Sequence, residues 1–333
     1  MVISMTPFRV SFFGGGSDYP SWFREHGGTV ISSTINKYCF ITCRYLPPFF
    51  DHSHRIVYGK VEAVKSISEI QHPSVQAVLQ WLKVEQGLEI HHDGDLPARS
   101  GLGSSSAFTV GLLNAISALH GKHISNQKLA SQAIHIEQNI IKENVGSQDQ
   151  VATACGGFNI IKFEANGDFD VSPVILTPEK RANLEDHLML FFTRISRNHN
   201  ASEIAKSQIA NIPSKKRELH RMMEMVGDAK NILQNSKDYC KEFGQLLDEN
   251  WSLKRSLSDK VSTKEIDDMY EAAKSAGAYG GKLMGAGGGG FLILIVKPEL
   301  QKRVRERLKN LIHVPIKFEF SGSKIVFYQP DGF

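Results

Sequence analysis

Cysteine is scarce in this chain, and none of its four copies forms a motif. Cys39, Cys43, Cys155 and Cys240 make no C-x-x-C pair and no histidine-containing cluster with zinc-ligand spacing. Both a disulfide framework and a structural zinc site are thereby excluded. Scattered reduced thiols imply a reducing, cytoplasmic setting. Long apolar runs are missing too: no stretch approaches the length that spans a bilayer. Met1 to Met5 carries no basic region, and Val10 to Phe13 is too short for the apolar core of a signal peptide. No membrane association is expected. An excess of one charge sign is also lacking, since 39 Lys and Arg against 35 Asp and Glu leave a net charge of +4. The basic runs Lys215-Lys216-Arg217 and Lys302-Arg303 with Arg305 and Arg307 read as solvated helix faces, so no nucleic-acid partner is expected. A modest positive balance suits an anionic small substrate. Sequence repeats and low-complexity tails are absent.

What is present is ample for a core: 333 residues, 41% of them hydrophobic, a length that favours two domains over one. The stretch Pro97-Ala98-Arg99-Ser100-Gly101-Leu102-Gly103-Ser104-Ser105-Ser106-Ala107 organises the chain. After it, apolar residues recur at three- and four-residue steps through Ile116, the period of an amphipathic helix. Glycines at 101 and 103 permit positive φ and close approach of backbone to a ligand. Serines at the helix start stand where backbone N–H groups are unpaired, at the positive end of the helix dipole. That is a phosphate site. The spacing is neither the Walker loop nor the dinucleotide fingerprint.

A strand from Met5 to Phe13 carries Arg9 and ends in Gly14-Gly15-Gly16-Ser17-Asp18, a sharp turn with something packed close to the backbone. Asp18 there suits either a helix cap for the segment beginning near Pro20 or the hydroxyls of a ligand. A helix follows His72-Pro73, and another begins at Ser125-Asn126 with Leu129, Ala133, Ile136, Ile140 and Ile141 on its apolar side and Glu137 among them. The domain boundary is expected within Thr177 to Asp186. A helical block spans Ala201 to Ala276, broken at Pro213 and near Gly244. A strand, Phe291 to Val296, follows a run with five glycines in six positions, Gly285 to Gly290. A tight turn needs one or two glycines. Five suggest a backbone-lined groove closing over substrate or phosphates.

Phosphoryl transfer needs a phosphate cradle, magnesium, a group orienting the acceptor hydroxyl, and charge stabilisation. The cradle is Gly101 to Ser106. A serine hydroxyl, Ser105 by preference, and the Glu137 carboxylate meet the hard-oxygen demand of Mg2+. Asp149, twelve residues beyond Glu137, is placed to accept the hydroxyl proton, and Arg9 to hold it ionised. Taken singly, each of these acids and bases is a common surface or structural residue; together they describe a kinase.

Three blocks together resemble the GHMP kinases, the family of galactokinase, homoserine kinase, mevalonate kinase and phosphomevalonate kinase. They are Thr6-Pro7-Phe8-Arg9-Val10 with Gly14-Gly15-Gly16-Ser17-Asp18-Tyr19, Pro97 to Ala107, and Lys282 to Phe291. The resemblance implies an α+β fold of two domains, ribosomal-protein-S5-like (1–180) and ferredoxin-like (181–333), with the site between them. It implies ATP bound through Pro97, Ser100, Gly101, Leu102, Gly103, Ser104, Ser105 and Ser106. Mg2+ then falls on Ser105 and Glu137, with Asp149 as base and Arg9 beside it. The Gly-Gly-Gly-Ser-Asp-Tyr variant of the first block is similar to the sugar 1-kinase branch and its heptose 7-phosphate kinases. That similarity implies an ATP-dependent transfer to the anomeric hydroxyl of a sugar phosphate, for nucleotide-heptose and surface-polysaccharide synthesis. Gly16, Asp18, Gly287 and Gly288 would line the sugar site, and Arg197 and Arg55 would pair with the sugar's phosphate. A kinase for another sugar, a non-catalytic sugar or ATP sensor, and a decarboxylase on the same scaffold are the competing readings, and a homodimer is compatible with all of them.

Overall fold

The computed structural model describes residues 1–98, 100–195 and 201–330. Their strands form two sheets, and residues of both line one cleft. The first sheet is built on β1 (Val2–Phe13) and β2 (Gly28–Tyr45), two long runs rich in β-branched and aromatic residues that pair antiparallel. β1 is buried from Thr6 onward. Pro7 cannot donate to a ladder, and the register shifts just after it: Pro7 faces Tyr38 but Phe8 faces Ile35. The bulge re-aims the strand immediately before Arg9.

β3 (His54–Val57), β4 (Val61–Val64) and β5 (Leu88–Gly94) extend the sheet beyond the second half of β2. β6 (Phe158–Phe163) and β7 (Phe169–Pro173) extend it beyond the first half. Five helices belong to this part of the chain: α1 (Pro20–His26), α2 (Pro73–Trp81), α3 (Ser104–Leu119), α4 (Asn126–His135) and α5 (Gln148–Cys155). α3 packs across β1 and β2 and is buried almost all round, so it has no amphipathic stripe.

The stretch expected to hold the domain boundary forms a helix, α6 (Pro178–His187), capped by the Thr177 hydroxyl, which accepts from Lys180 N at 3.3 Å. β8 (Leu188–Phe192) opens the second sheet. It is followed by α7 (Ala201–Asn211), α8 (Lys216–Asn235), α9 (Tyr239–Ser256) and α10 (Lys264–Ser275). The chain then runs through β9 (Ala278–Leu283), β10 (Phe291–Val296), α11 (Gln301–Arg307) and β11 (Ile312–Val314). The spatial order β11-β8-β10-β9, all antiparallel, is that of a β-α-β-β-α-β ferredoxin-like unit. β10 is buried on both faces, its alternate residues feeding two separate cores.

The closing strands, read with the second half in sequence, belong to the first sheet. β12 (Phe318–Glu319) pairs with β2, and β13 (Lys324–Tyr328) pairs with β1. Pairing needs a free strand edge, and the start of β1 offers one. Phe243 of α9 packs edge-on to both Phe12 and Phe13 of β1, joining the two halves. All four cysteines are free, and no helix among the described residues is long and apolar enough to cross a membrane.

Gly244 does not break a helix. It lies inside α9, where an added Cβ would stand 2.6 Å from Tyr279 Cβ and 3.1 Å from Ile295 Cβ. The glycine is there for close approach of helix to sheet. Gly244→Val is expected to lower stability by about 1–3 kcal/mol in urea unfolding through overpacking. Gly227→Ala on α8, where the new Cβ meets nothing within 4 Å, is expected to be neutral or to stabilise by up to ~1 kcal/mol.

Candidate active site

Arg9 leaves the bulge of β1 with its backbone N–H donating to Leu102 O at 2.9 Å. Its guanidinium forks onto Asp149: Nε to Oδ1 at 2.8 Å and Nη2 to Oδ2 at 2.6 Å. Nη1 donates to Gly101 O at 2.8 Å. One side chain thus fixes three segments. Asp149 is not a loop acid. It occupies the first turn of α5, where the helix dipole also favours a carboxylate, and its side chain keeps 25% exposure toward the cleft.

The serine-headed segment is helix α3, and its N-cap is Gly103 at φ 74°, which offers no capping side chain. The helix therefore begins with backbone donors that no side-chain cap satisfies, as a phosphate site requires. A Cβ at 103 would also stand 3.1 Å from Arg9 Cγ. The third motif completes the loop from the other sheet: a Cβ on Gly285 would fall 2.5 Å from Gly101 Cα, and Phe291 N donates to Ser100 O at 3.3 Å. Gly285 is small because the two loops touch backbone to backbone at Gly101, and Gly103 because the Arg9 side chain lies against it.

Glu137 is 1% exposed and sits where α4 runs on into one π-turn, Ile136–Ile140, with Ile141 N donating to Ile136 O. Such π-bulges recur at functional sites. Its Oε2 accepts from Ser106 Oγ at 3.0 Å and Gln150 Nε2 at 2.5 Å. Oε1 has no hydrogen-bond partner among the described residues. Burial pushes this carboxyl up to about 7, against the hydrogen bonds that favour its charged form. A buried carboxylate oxygen left unpaired is costly unless a cation meets it. The serine bonded to Glu137 is Ser106; Ser105 is exposed at the cleft beside it.

Asp18 is buried at 2% exposure, its carboxylate accepting from Gly16 N at 2.9 Å and Gln148 N at 3.3 Å. Burial, with Asp149 nearby, raises its pKa against the pull of those N–H donors. Gly146 makes room for it, since a Cβ there would stand 1.8 Å from Asp18 Oδ2.

These residues converge on a cleft of about 280 Å³. Arg9, Gly16, Asp18, Gly101, Gly103, Ser104, Ser105, Ser106, Glu137 and Asp149 all line it. Pro97 is exposed on the approach, Ser100 is buried, and Leu102 is core; they shape the turn rather than the wall. Gly287 and Gly288 are turned to the loop at Val261, Gly288 N donating to its carbonyl at 2.9 Å. Gly285 and Ala286 line the cleft in their stead. Arg55 is displaced outright. It lies on β3, across β5 from the cleft, bonded to Glu89 at 3.1 Å next to Arg44. Arg197 lies outside the described residues.

Among the wall residues not anticipated are two lysines and a glutamine. Lys254 occupies the apolar stripe of α9, in step with Phe243, Leu247 and Trp251, and donates to Leu283 O at 3.3 Å and to Gly285 O. Lys282 is 2% exposed on β9 and donates to Phe12 O at 3.0 Å. A lysine inside an otherwise buried periodic pattern is a legible signal in both cases. Gln208 of α7 donates to Ala286 O at 2.7 Å and carries no such signal.

Family models match at two places: GHMP kinases N terminal domain over residues 63–157, and GHMP kinases C terminal over residues 236–313. A D-glycero-alpha-D-manno-heptose 7-phosphate kinase of Campylobacter jejuni is 30% identical over 92% of this chain and 93% of its own length. A bifunctional fucokinase/GDP-fucose pyrophosphorylase of Arabidopsis thaliana is 25% identical over 93% of this chain, which spans 31% of that protein. Among solved structures, a D-glycero-D-manno-heptose 1-phosphate kinase from Bacteroides thetaiotaomicron superposes with TM-score 0.80 at 24% identity, covering 99% of this chain and 100% of that one.

The unpaired Glu137 oxygen has a measurable consequence. A carboxyl whose folded pKa lies above its unfolded value costs stability as pH rises from the unfolded toward the folded value. Without divalent cations, Glu137→Gln is expected to exceed the wild type in stability by on the order of 2 kcal/mol at pH 8, the gap closing toward pH 5. Urea unfolding at the two pH values measures it, and equal stability at both would remove the desolvation argument.

Proposed function

The chain belongs to the GHMP kinase family and is an ATP-dependent phosphotransferase acting on a hydroxyl group; we propose that the hydroxyl is the anomeric one of D-glycero-D-manno-heptose 7-phosphate, giving the 1,7-bisphosphate. The observation that carries the reading is the Arg9–Asp149 fork, which lies against the head of α3, a helix start with no side-chain cap, in the wall of one cleft. The substrate is supported by the heptose kinase relative, which matches this chain along nearly all of both lengths. A soluble sugar-phosphate kinase of the cytoplasm, supplying nucleotide-heptose synthesis, follows from that reading.

In this reading the nucleotide's phosphates lie on the backbone donors of Gly103 to Ser106. Asp149 orients the acceptor hydroxyl and receives its proton. Gly16 and Asp18 hold sugar hydroxyls, a task for which a buried, well-fixed carboxylate is suited. Magnesium fits the donor set: Glu137 Oε1 is unpaired and hard, and the Ser105 hydroxyl stands at the cleft, while Ser106 positions Glu137. When bound, the ion would neutralise charge on the nucleotide's phosphates. Arg197 is retained as a partner for the sugar's phosphate; Arg55 is not.

Asp149→Asn is expected to cut kcat by about 10³-fold or more while ATP still binds within a few-fold of wild type. Coupled ADP release with heptose 7-phosphate, mannose 6-phosphate and free fucose identifies the acceptor. Turnover confined to free fucose would overturn the heptose assignment, and wild-type turnover by the Asn variant would remove Asp149 from the chemistry.

A further inference from the structure

We propose that Lys282 is a catalytic residue: its ammonium contacts the phosphoryl group in transfer and offsets the charge that builds on it. The proposal rests on the kinase reading above. In the reaction, the bond from the γ-phosphorus to the bridging oxygen of ATP breaks and leaves ADP. A bond from that phosphorus to the acceptor oxygen forms, and the acceptor's proton passes to Asp149. Lys282 exchanges no proton in the step and acts by charge alone.

Geometry selects this residue from the cations of the described cleft. Arg9 is committed to both oxygens of Asp149 and to Gly101 O. The Lys254 ammonium is turned onto the carbonyls of Leu283 and Gly285 and holds the glycine turn. Lys282 makes one hydrogen bond among the described residues, to Phe12 O at 3.0 Å, although an ammonium has three donors. It nonetheless lines the cleft, from the opposite sheet to Arg9. Phe12 and Arg9 both belong to β1, and Lys282, Arg9 and Asp149 line the same cleft, so the bond to Phe12 O holds the ammonium in the wall that the Arg9–Asp149 pair also forms.

The electrostatics agree. Desolvation first, then Lys254 and Arg9, hold the Lys282 pKa well below the usual lysine range, with Asp18 opposing them. A buried ammonium short of counter-charge gains most when an anion arrives. The groups facing it are Lys254 from α9, Arg9 from β1 and Asp18 from the turn before α1.

A purely structural role is the alternative, with Lys282 stapling β9 to β1. The two are told apart by kinetics on variants that bind nucleotide like the wild type. Lys282→Met is expected to lower kcat 10²–10³-fold, with KM for ATP and for the acceptor within fivefold. Added methylammonium is expected to restore kcat of Lys282→Ala in a saturable way. An alkaline fall in kcat is expected of the wild type; Lys282→Arg keeps both charge and donor, and it should hold kcat within tenfold and lose that fall. A Lys282→Met enzyme within threefold of wild-type kcat overturns the proposal. So does an Arg variant whose alkaline limb is unchanged, a test that stands even if the Met and Ala variants fail to fold. If the wild type phosphorylates free sugar but not the 7-phosphate, the substrate reading fails, and the Lys282 comparison is made on the free sugar.

Discussion

Everything in the cleft is referenced to one guanidinium. Arg9 is 2% exposed, and its three guanidinium nitrogens donate to Gly101 O in the phosphate loop and to both oxygens of a carboxylate on α5. A buried charge pair is weak evidence for stability, because desolvating two ions offsets most of their attraction. What such a pair gives is geometry. The planar fork admits one orientation of Asp149 and, through Gly101 O, one height of the phosphate loop above β1. A lysine could match the charge but not the two parallel bonds. The bulge at Pro7 is the sequence-level cause: it shifts the register one residue before Arg9 and lets its N–H reach Leu102 O.

The second constraint is steric, and it is exerted by absent side chains. Gly285 lets the two turns of the cleft meet backbone to backbone, Gly103 lets the Arg9 side chain lie against the head of α3, and Gly146 lets the Asp18 carboxylate lie against a main chain. Close approach matters because unpaired N–H groups act on a ligand only at hydrogen-bond range. The cleft is therefore complete only when both sheets are docked. Phe243, edge-on to Phe12 and Phe13, supplies apolar contact for that docking, beside the polar ties from Lys282 to Phe12 O and from Phe291 N to Ser100 O.

Much of this was legible in the residues. Strand β1 with Arg9, helix α3 with its serines, the π-turn acid Glu137 and Asp149 were all readable, since periodicity, glycine hinges and lone acids in apolar runs are local signals. The misplacements share a cause. Arg55 reads as a phosphate ligand only if β3 abuts the cleft, and strand order is set by long-range pairing. Gly244 reads as a breaker unless the sheet beneath the helix is known. Gly287 and Gly288 were right in kind but not in facing, because the run's first glycine takes the contact with Gly101. Lys254 and Lys282 were overlooked although a charge on a buried stripe is a departure from pattern, and such departures are where function is to be sought.

The division of labour among the cleft's charges bears on how transfer proceeds. Both oxygens of Asp149 are bonded to Arg9, which fixes where the carboxylate stands and how it is turned. A strong base would be needed only if the acceptor hydroxyl had to lose its proton early. In a loose transition state the phosphorus–oxygen bond to ADP is largely broken before the new one forms, so the hydroxyl loses its proton late. Asp149 then needs to be well placed more than it needs to be basic, and a forked partner is the way to place it. The demand moves to the phosphoryl group, whose charge has to be met from outside the Arg9–Asp149 pair. A cleft that engages its arginine fully on positioning has to find that charge elsewhere, and the second sheet, through Lys282, is where this chain keeps it.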